Sequence, residues 1–381
     1  MTLRIIKPQL FLLLFFTLLS CNNVKNNNID QDLLIWDDYD ICEWTDSTIS
    51  SKVSSIILKS TPSTYLKSIE KVAICENNLY ILDVLGRKII KYDMSGHPVG
   101  LLHCVGRGPG EYIHLDDFCI DSSGHIYTLD CSRSIVNEYD KEFKFCRQYN
   151  LQVAVDQISV LPDGGFLLSL SPFNSGKFED AELVSSSHDF KEMSVLAYYD
   201  APVSLDEVIS LPLISVSDGG RYYHRTVTDY AYKIDKGYLN RIFFDFGKNS
   251  VPKKFRTNLS KNLSHYSSYI TLLQYYTEMS DKVYGMLYRF GKENIFVLNK
   301  QHKTVSFREV ENPFYTYSEC ASDSILEYPI GVSDKYFITC MSHRNSVLDK
   351  GHSGNLDSKD SDELIILRLY DISENAIVSI R

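Results

Sequence analysis

Apolar residues along this chain come in short runs rich in Tyr, Ile, Leu, Val and Phe, broken by Asp, Asn, Gly and Ser. A 3.6-residue periodicity is hardly sustained anywhere, so the pattern predicts many short strands joined by tight turns. The runs also repeat. Asn78-Leu79-Tyr80-Ile81-Leu82-Asp83 has a counterpart in His125-Ile126-Tyr127-Thr128-Leu129-Asp130, and a second pair, Tyr92-Asp93 and Tyr139-Asp140, follows each at the same distance. Both comparisons give an offset of 47 residues (83 to 130, 93 to 140). Weaker copies follow as Phe166 to Leu170 with His188-Asp189, and Tyr222 to Arg225 with Ile234-Asp235. Two more are Tyr284 to Arg289 with Leu298-Asn299, and Tyr336 to Cys340 with Tyr370-Asp371.

Six copies at a period of 40 to about 70 residues predict an all-β, six-bladed β-propeller of four-stranded antiparallel blades. One blade buries too little to stand alone, and a closed ring protects the end units. The last unit lacks an outermost strand, because Leu364 to Tyr370 reads as its third. Val53 to Leu58, an orphan strand ahead of the first repeat, is expected to complete that blade and tie the two ends of the chain together.

The amino end predicts an address. Met1 to Lys7 is short and basic, Leu10 to Leu19 is apolar apart from Thr17, and Leu18-Leu19-Ser20-Cys21 follows. The apolar run is too short for a lasting membrane span. The order of features matches the lipobox of bacterial lipoproteins, in which cleavage leaves Cys21 to be acylated. Residues 1–20 are thus read as a lipoprotein signal peptide, 21–48 as a polar tether and lead-in, and 49–381 as the propeller. The membrane is the expected partner through that anchor, with the outer membrane as its site. No acidic cluster follows Cys21, which favours a periplasm-facing placement.

The second repeat carries a family likeness. Residues 104 to 112 read Cys-Val-Gly-Arg-Gly-Pro-Gly-Glu-Tyr, followed by Asp121-Ser122-Ser123-Gly124-His125-Ile126-Tyr127, Asp130 and Tyr139-Asp140. This resembles the NHL repeat, with its glycine-rich turn, its D-x-x-G-x-I-Y core and its closing aromatic-Asp pair. The arrangement also resembles the six-bladed propeller lipoproteins of Gram-negative gut bacteria, with further counterparts in Ile234-Asp235-Lys236-Gly237 and Phe244-Asp245-Phe246-Gly247. The likeness covers roughly residues 50 to 381. It implies the fold and the cell envelope more than any activity.

Charge narrows the functions. Lys plus Arg number 39 against 49 Asp plus Glu, a formal charge of −10, so no electrostatic footprint for nucleic acid exists. The cysteines show no C-x-x-C pair and no histidine at zinc spacing, so neither metal nor cofactor is expected. Several of them read as small hydrophobes in strands. Gly106 to Gly110 lacks the Lys-Ser/Thr of a phosphate loop and reads as an inter-blade turn. Neither a G-x-S-x-G elbow nor H-E-x-x-H occurs.

Topology nominates the surface instead. In a propeller, inter-blade loops and the loops between second and third strands share one face, and recognition usually sits on such loops. Candidate ligand-binding residues there are Asp83, Arg107, Glu111, Tyr112, Asp130, Arg225 and Arg289. Asp83 and Asp130 on one arc and Arg225 and Arg289 on the other predict a mouth with a negative and a positive side, suited to a zwitterionic or peptide-like ligand. Two functions fit: a monomeric, non-catalytic binding or scaffolding lipoprotein for a peptide, glycan or envelope protein, and a propeller hydrolase, lactonase or lyase using the central channel. Fixed arginines disfavour a channel metal, which places binding first.

Overall fold

The computed structural model describes residues 30–200, 213–217, 220–225, 228–235, 238–256, 267–310, 326–343 and 364–373. The expected signal peptide, Cys21 and the first part of the expected tether lie outside the described residues. Six sheets form a six-bladed β-propeller. Blade one comprises Lys71–Cys75, Asn78–Asp83, Lys88–Asp93 and Pro98–Leu102. Blade two comprises Asp117–Ile120, Ile126–Asp130, Ile135–Tyr139 and Phe145–Asn150. Val155–Val160, Phe166–Leu170, Ala181–Ser186 and Met193–Tyr198 make blade three, and Leu213–Ser217, Gly220–His224, Tyr230–Asp235 and Tyr238–Asp245 make blade four. In blade five the innermost position is split between Ile270–Leu272 and Thr277–Met279, both paired with Lys282–Arg289, and Lys292–Asn299 and Thr304–Glu309 follow. Blade six holds Leu326–Val332, Tyr336–His343 and Leu364–Asp371.

Ring closure is as the sequence predicts. Val53–Leu58 pairs antiparallel with Leu364–Asp371, Leu58 opposite Ile365 and Val53 opposite Tyr370. The lead-in does more than the sequence shows. Asp30–Ile35 lies parallel to the outer strand of blade four, and after a short turn at Trp36–Asp38 the pair Asp40–Ile41 lies parallel to that of blade five. The N-terminal chain therefore straps the rim of blades four and five before it enters blade six.

The repeated residues are turn chemistry. Asp121 Oδ1 accepts from the backbone N–H of Ser123 and His125 at 2.8 and 2.9 Å, and Gly124 supplies the left-handed φ of +84°. Such Asx turns give a hairpin bend its acceptor and its positive φ. Asp93 and Asp140 repeat the arrangement at the third-to-fourth-strand turns of blades one and two.

The core lies in the seams between blades. Tyr80, Leu82 and Ile89 of blade one pack with Leu115, Phe118 and Ile126 of blade two. Blade two meets blade three through Leu129, Val136, Phe166 and Leu168, and Phe244 with Phe296 fills the seam of blades four and five. Cys119 and Cys340 are buried in strands, as small hydrophobes are. The seam between blades three and four is the smallest of these clusters, and three of its members, Tyr223, Tyr230 and Tyr232, carry hydroxyls. Polar groups enter the fold there.

Candidate functional site

The end of each second strand meets the inter-blade loop before it, and the residue at that corner decides how the loop is held. In blade one it is Asp83. Its carboxylate accepts from the N–H groups of Lys67, Ser68 and Gly86 at 3.0, 3.1 and 2.7 Å and from Ser68 Oγ at 3.1 Å. Lys88 Nζ stands 3.7 Å away. Asp130 does the same in blade two, accepting from the N–H groups of Ile113, His114 and Arg133 and from Ser132 Oγ. Burial works to raise its pKa, but the hydrogen bonds from Ser132 and the loop N–H groups hold it below the ordinary value. Both acids are buried.

This corrects the expected negative side of the mouth. The lone pairs of Asp83 and Asp130 are committed to loop backbone, so neither carboxylate faces a ligand. Tyr112 is likewise interior, its hydroxyl donating to the carbonyl of Arg87 at 3.0 Å and accepting from Cys104 N–H at 3.1 Å. Glu111 folds back on its own glycine turn, with Oε2 accepting from Gly108 N–H at 2.7 Å. A Cβ on Gly106 would stand 2.1 Å from that oxygen, so any larger residue there would push the Glu111 carboxylate off the turn. Arg107 is exposed, and its carbonyl accepts from Arg133 Nη2 at 3.5 Å. Arg289 lies over the rings of Phe307 and Phe290 at 4.0 and 4.8 Å. Among the nominated residues, Arg225 alone joins a group of uncommitted polar atoms.

That group lies at the loop-bearing end of the seam between blades three and four. Strand Ala181–Ser186 carries a bulge against Met193–Tyr198, with Ala181 opposite Tyr198 and Leu183 opposite Ala197. Glu182 is the extra residue, and a bulge re-aims its side chain. Glu182 Oε1 accepts from Tyr223 Oη at 3.2 Å and lies 3.6 Å from Arg225 Nε. The same guanidinium stands 3.7 Å from Asp200 Oδ1 and 4.8 Å from the centre of the Tyr199 ring. Tyr199 Oη donates to the carbonyl of Leu170 at 2.5 Å. Arg241 lies over Tyr230 and Tyr232 at 4.6 and 5.2 Å and donates to Tyr232 Oη at 2.7 Å. Glu182 Oε2, Arg225 Nε and Tyr230 Oη have no hydrogen-bond partner among the described residues.

Burial dominates the electrostatics. It raises the Glu182 pKa to about 7 against the opposing charge of Arg225, with Asp200 pushing the same way as burial. His224 is buried next to Arg225, and burial and that charge lower its pKa to about 3, so it is neutral at any ordinary pH. Toward the channel, Asp156 occupies a bulge between Val155 and Gln157, and burial and the Asp116 carboxylate raise its pKa to about 6. Asp116 itself accepts from Cys131 N–H at 2.7 Å. Below them Lys71 pairs with Asp117 at 2.8 Å, and Asp117 accepts from Ile158 N–H at 2.9 Å, a tie across three blades. Acids of blades two and three, with the guanidinium of Arg225, thus lie along the loop-bearing side from blade two to blade four. Among the described residues, no group of three or more His, Cys, Asp or Glu is placed to hold a metal ion.

Sequence reasoning missed Glu182, Tyr199, Asp200 and Asp156. Bulges set the first and last of these, and one sequence carries no mark of a bulge. The available signal was the long link from Leu170 to Ala181, which ends beside Glu182.

Comparison with known proteins places the chain. A family model described as a domain of unknown function, DUF4934, matches residues 41–380. No curated protein matches the chain. Among solved structures, a Bacteroides fragilis protein described as exported superposes with a TM-score of 0.67 at 17% identity, over 90% of this chain and 99% of its own. A member of the DUF4221 family from Bacteroides vulgatus gives a TM-score of 0.51 at 11% identity, over 84% and 96%. At these identities the likeness concerns the fold.

Proposed function

The chain belongs to the DUF4934 family, and from that premise we propose that it is a lipid-anchored envelope protein that binds a ligand without transforming it. The ligand enters at the loop-bearing seam of blades three and four and is a peptide, a glycan or a segment of an envelope protein. The observation that carries this reading is the set of buried polar atoms without a hydrogen-bond partner among the described residues: Glu182 Oε2, Arg225 Nε, which only ion-pairs with Glu182 Oε1, and Tyr230 Oη. Buried polar groups are nearly always hydrogen-bonded, and leaving one unmade costs about 1–3 kcal/mol. A polar ligand would supply the missing partners. Tyr199, half-buried, adds an aromatic surface for a sugar or an apolar side chain, and Arg225 and the exposed Asp200 add opposite charges that orient it. The lipobox at Cys21 and the likeness to a protein described as exported support an envelope address.

The test is a thermal-shift and calorimetric screen of peptides and envelope oligosaccharides, repeated with Arg225→Ala and Tyr230→Phe. Ligands that stabilise the native protein should lose at least tenfold in affinity with Arg225→Ala. Ligands bound equally well by both proteins would place the site elsewhere.

A second reading, a hydrolase or lyase at the same seam, draws on Glu182 and Asp156. Carboxyl groups with pKa values near 7 and 6 are poised for acid–base work at neutral pH. Ligand released chemically altered, with the change abolished in Glu182→Gln, would favour it over binding.

A further inference from the structure

Residues 30–41 set where the N-terminal chain leaves the propeller. Asp30 lies opposite Asn240 and Ile35 opposite Asp245, so the strap begins near the start of the outer strand of blade four. That strand starts at its turn from Tyr230–Asp235. In an antiparallel four-stranded blade this turn belongs to the face opposite the inter-blade loops. Asp30 therefore sits on the turn-bearing side of the rim, whereas Glu182, Asp200 and Arg225 sit on the loop-bearing side.

Eight residues, 22 to 29, separate Asp30 from Cys21. For nine residue steps the random-coil root-mean-square span is roughly 15–18 Å. A six-residue strand is itself about 20 Å long. Bringing the loop-bearing face down on a bilayer would stretch the tether beyond that root-mean-square span, to roughly two-thirds of its full extension of about 30 Å.

We propose that the anchor holds the propeller with the turn-bearing side and the rim of blades four and five against the lipid surface, so that the seam site opens away from it. This rests on the reading of Cys21 as acylated. The rim suits such contact: Tyr238 is 82% exposed, Ile41 63% and Leu33 54%. Aromatic and aliphatic side chains of this kind settle at the headgroup boundary. Its charge does not draw it to an anionic surface, since Asp30, Asp32, Asp37, Asp38 and Asp40 are all exposed on the strap. The tether imposes the contact, and the rim has little affinity of its own.

The experiment uses the acylated full chain in vesicles of phosphatidylethanolamine and phosphatidylglycerol. A fluorescent amino acid is incorporated at position 238, or at position 173 or 85 in the second-to-third-strand loops of blades three and one. Phe173 and Leu85 are exposed, at 53% and 61%, so neither label disturbs the core. Energy transfer to headgroup-labelled lipid should be several-fold stronger from position 238 than from 173 or 85, and Cys21→Ala protein should show none. Equal or reversed transfer from a protein whose Cys21 acylation is confirmed by mass spectrometry overturns the orientation and leaves the anchor standing. An unacylated Cys21 overturns both. Vesicle binding by the Cys21→Ala protein overturns the claim that the tether imposes the contact.

Discussion

The carboxylate of Asp83 accepts four hydrogen bonds, three of them from loop N–H groups, and Asp130 matches it in the next blade. Removing either acid leaves its loop donors without their acceptor, in blade one including the buried N–H and Oγ of Ser68. Asp83→Ala and Asp130→Ala are each expected to lower stability by roughly 3 kcal/mol in chemical denaturation, with ligand affinity unchanged in the protein that remains folded. Loss of affinity without loss of stability would restore these acids to the site. Glu182 behaves in the opposite way. Its folded pKa, raised to about 7 by burial, lies above its ordinary value. The stability it contributes is therefore fully present below about 4.5 and is lost as the pH rises through about 7. Glu182→Gln should flatten the dependence of melting temperature on pH across that window, as read by differential scanning fluorimetry. An unchanged slope would show that the carboxyl group is not held in its neutral form.

Among the elements, Val53–Leu58 and the strap differ in what they replace. The first supplies a whole edge of blade six, reinforced by Asp371 N–H donating to the carbonyl of Lys52 at 2.9 Å and Ser50 Oγ donating to that of Asp371 at 2.5 Å. The second adds to blades that are already complete. Deleting 50–60 should lower the melting temperature far more than deleting 30–41, and deleting 22–29 should leave it unchanged. Equal melting temperatures for the first and last deletions would place the closure elsewhere. The closing strand was legible in the sequence because Val53 to Leu58 is apolar and has no partner in its own neighbourhood. The strap was not, because Asp30-Gln31-Asp32-Leu33-Leu34-Ile35 is held through backbone pairing on an exposed edge, which leaves little apolar pattern to read. The site was legible only in part, for a related reason. Strand ends and their charges follow from the repeat, so Arg225 could be nominated. Whether such a charge faces a ligand or a loop depends on the chain that folds over it, and Asp83 and Asp130 are covered. Glu182 entered the site through a bulge in one of the weakest copies of the repeat.

For the whole molecule, the anchor at Cys21 is the proposed means of membrane attachment. Cys21→Ala is expected to release the protein from membranes in fractionation at high salt. Quantitative retention would end the lipoprotein reading. The ring also has a consequence in time. Ribosomes deliver the amino end first, and Leu58 must wait for Ile365, some 307 residues later in the chain. Blades one, two and three can pair within themselves as they emerge, but blade six cannot exist until both ends of the chain are present. Long-range pairing of this kind is slow to form. During the wait, residues 30–58 and the edge at Leu364–Asp371 are open to a second copy with the same unmet need. Closing the ring is therefore expected to be the slow step of folding, and two half-finished rings offer each other the same open edges.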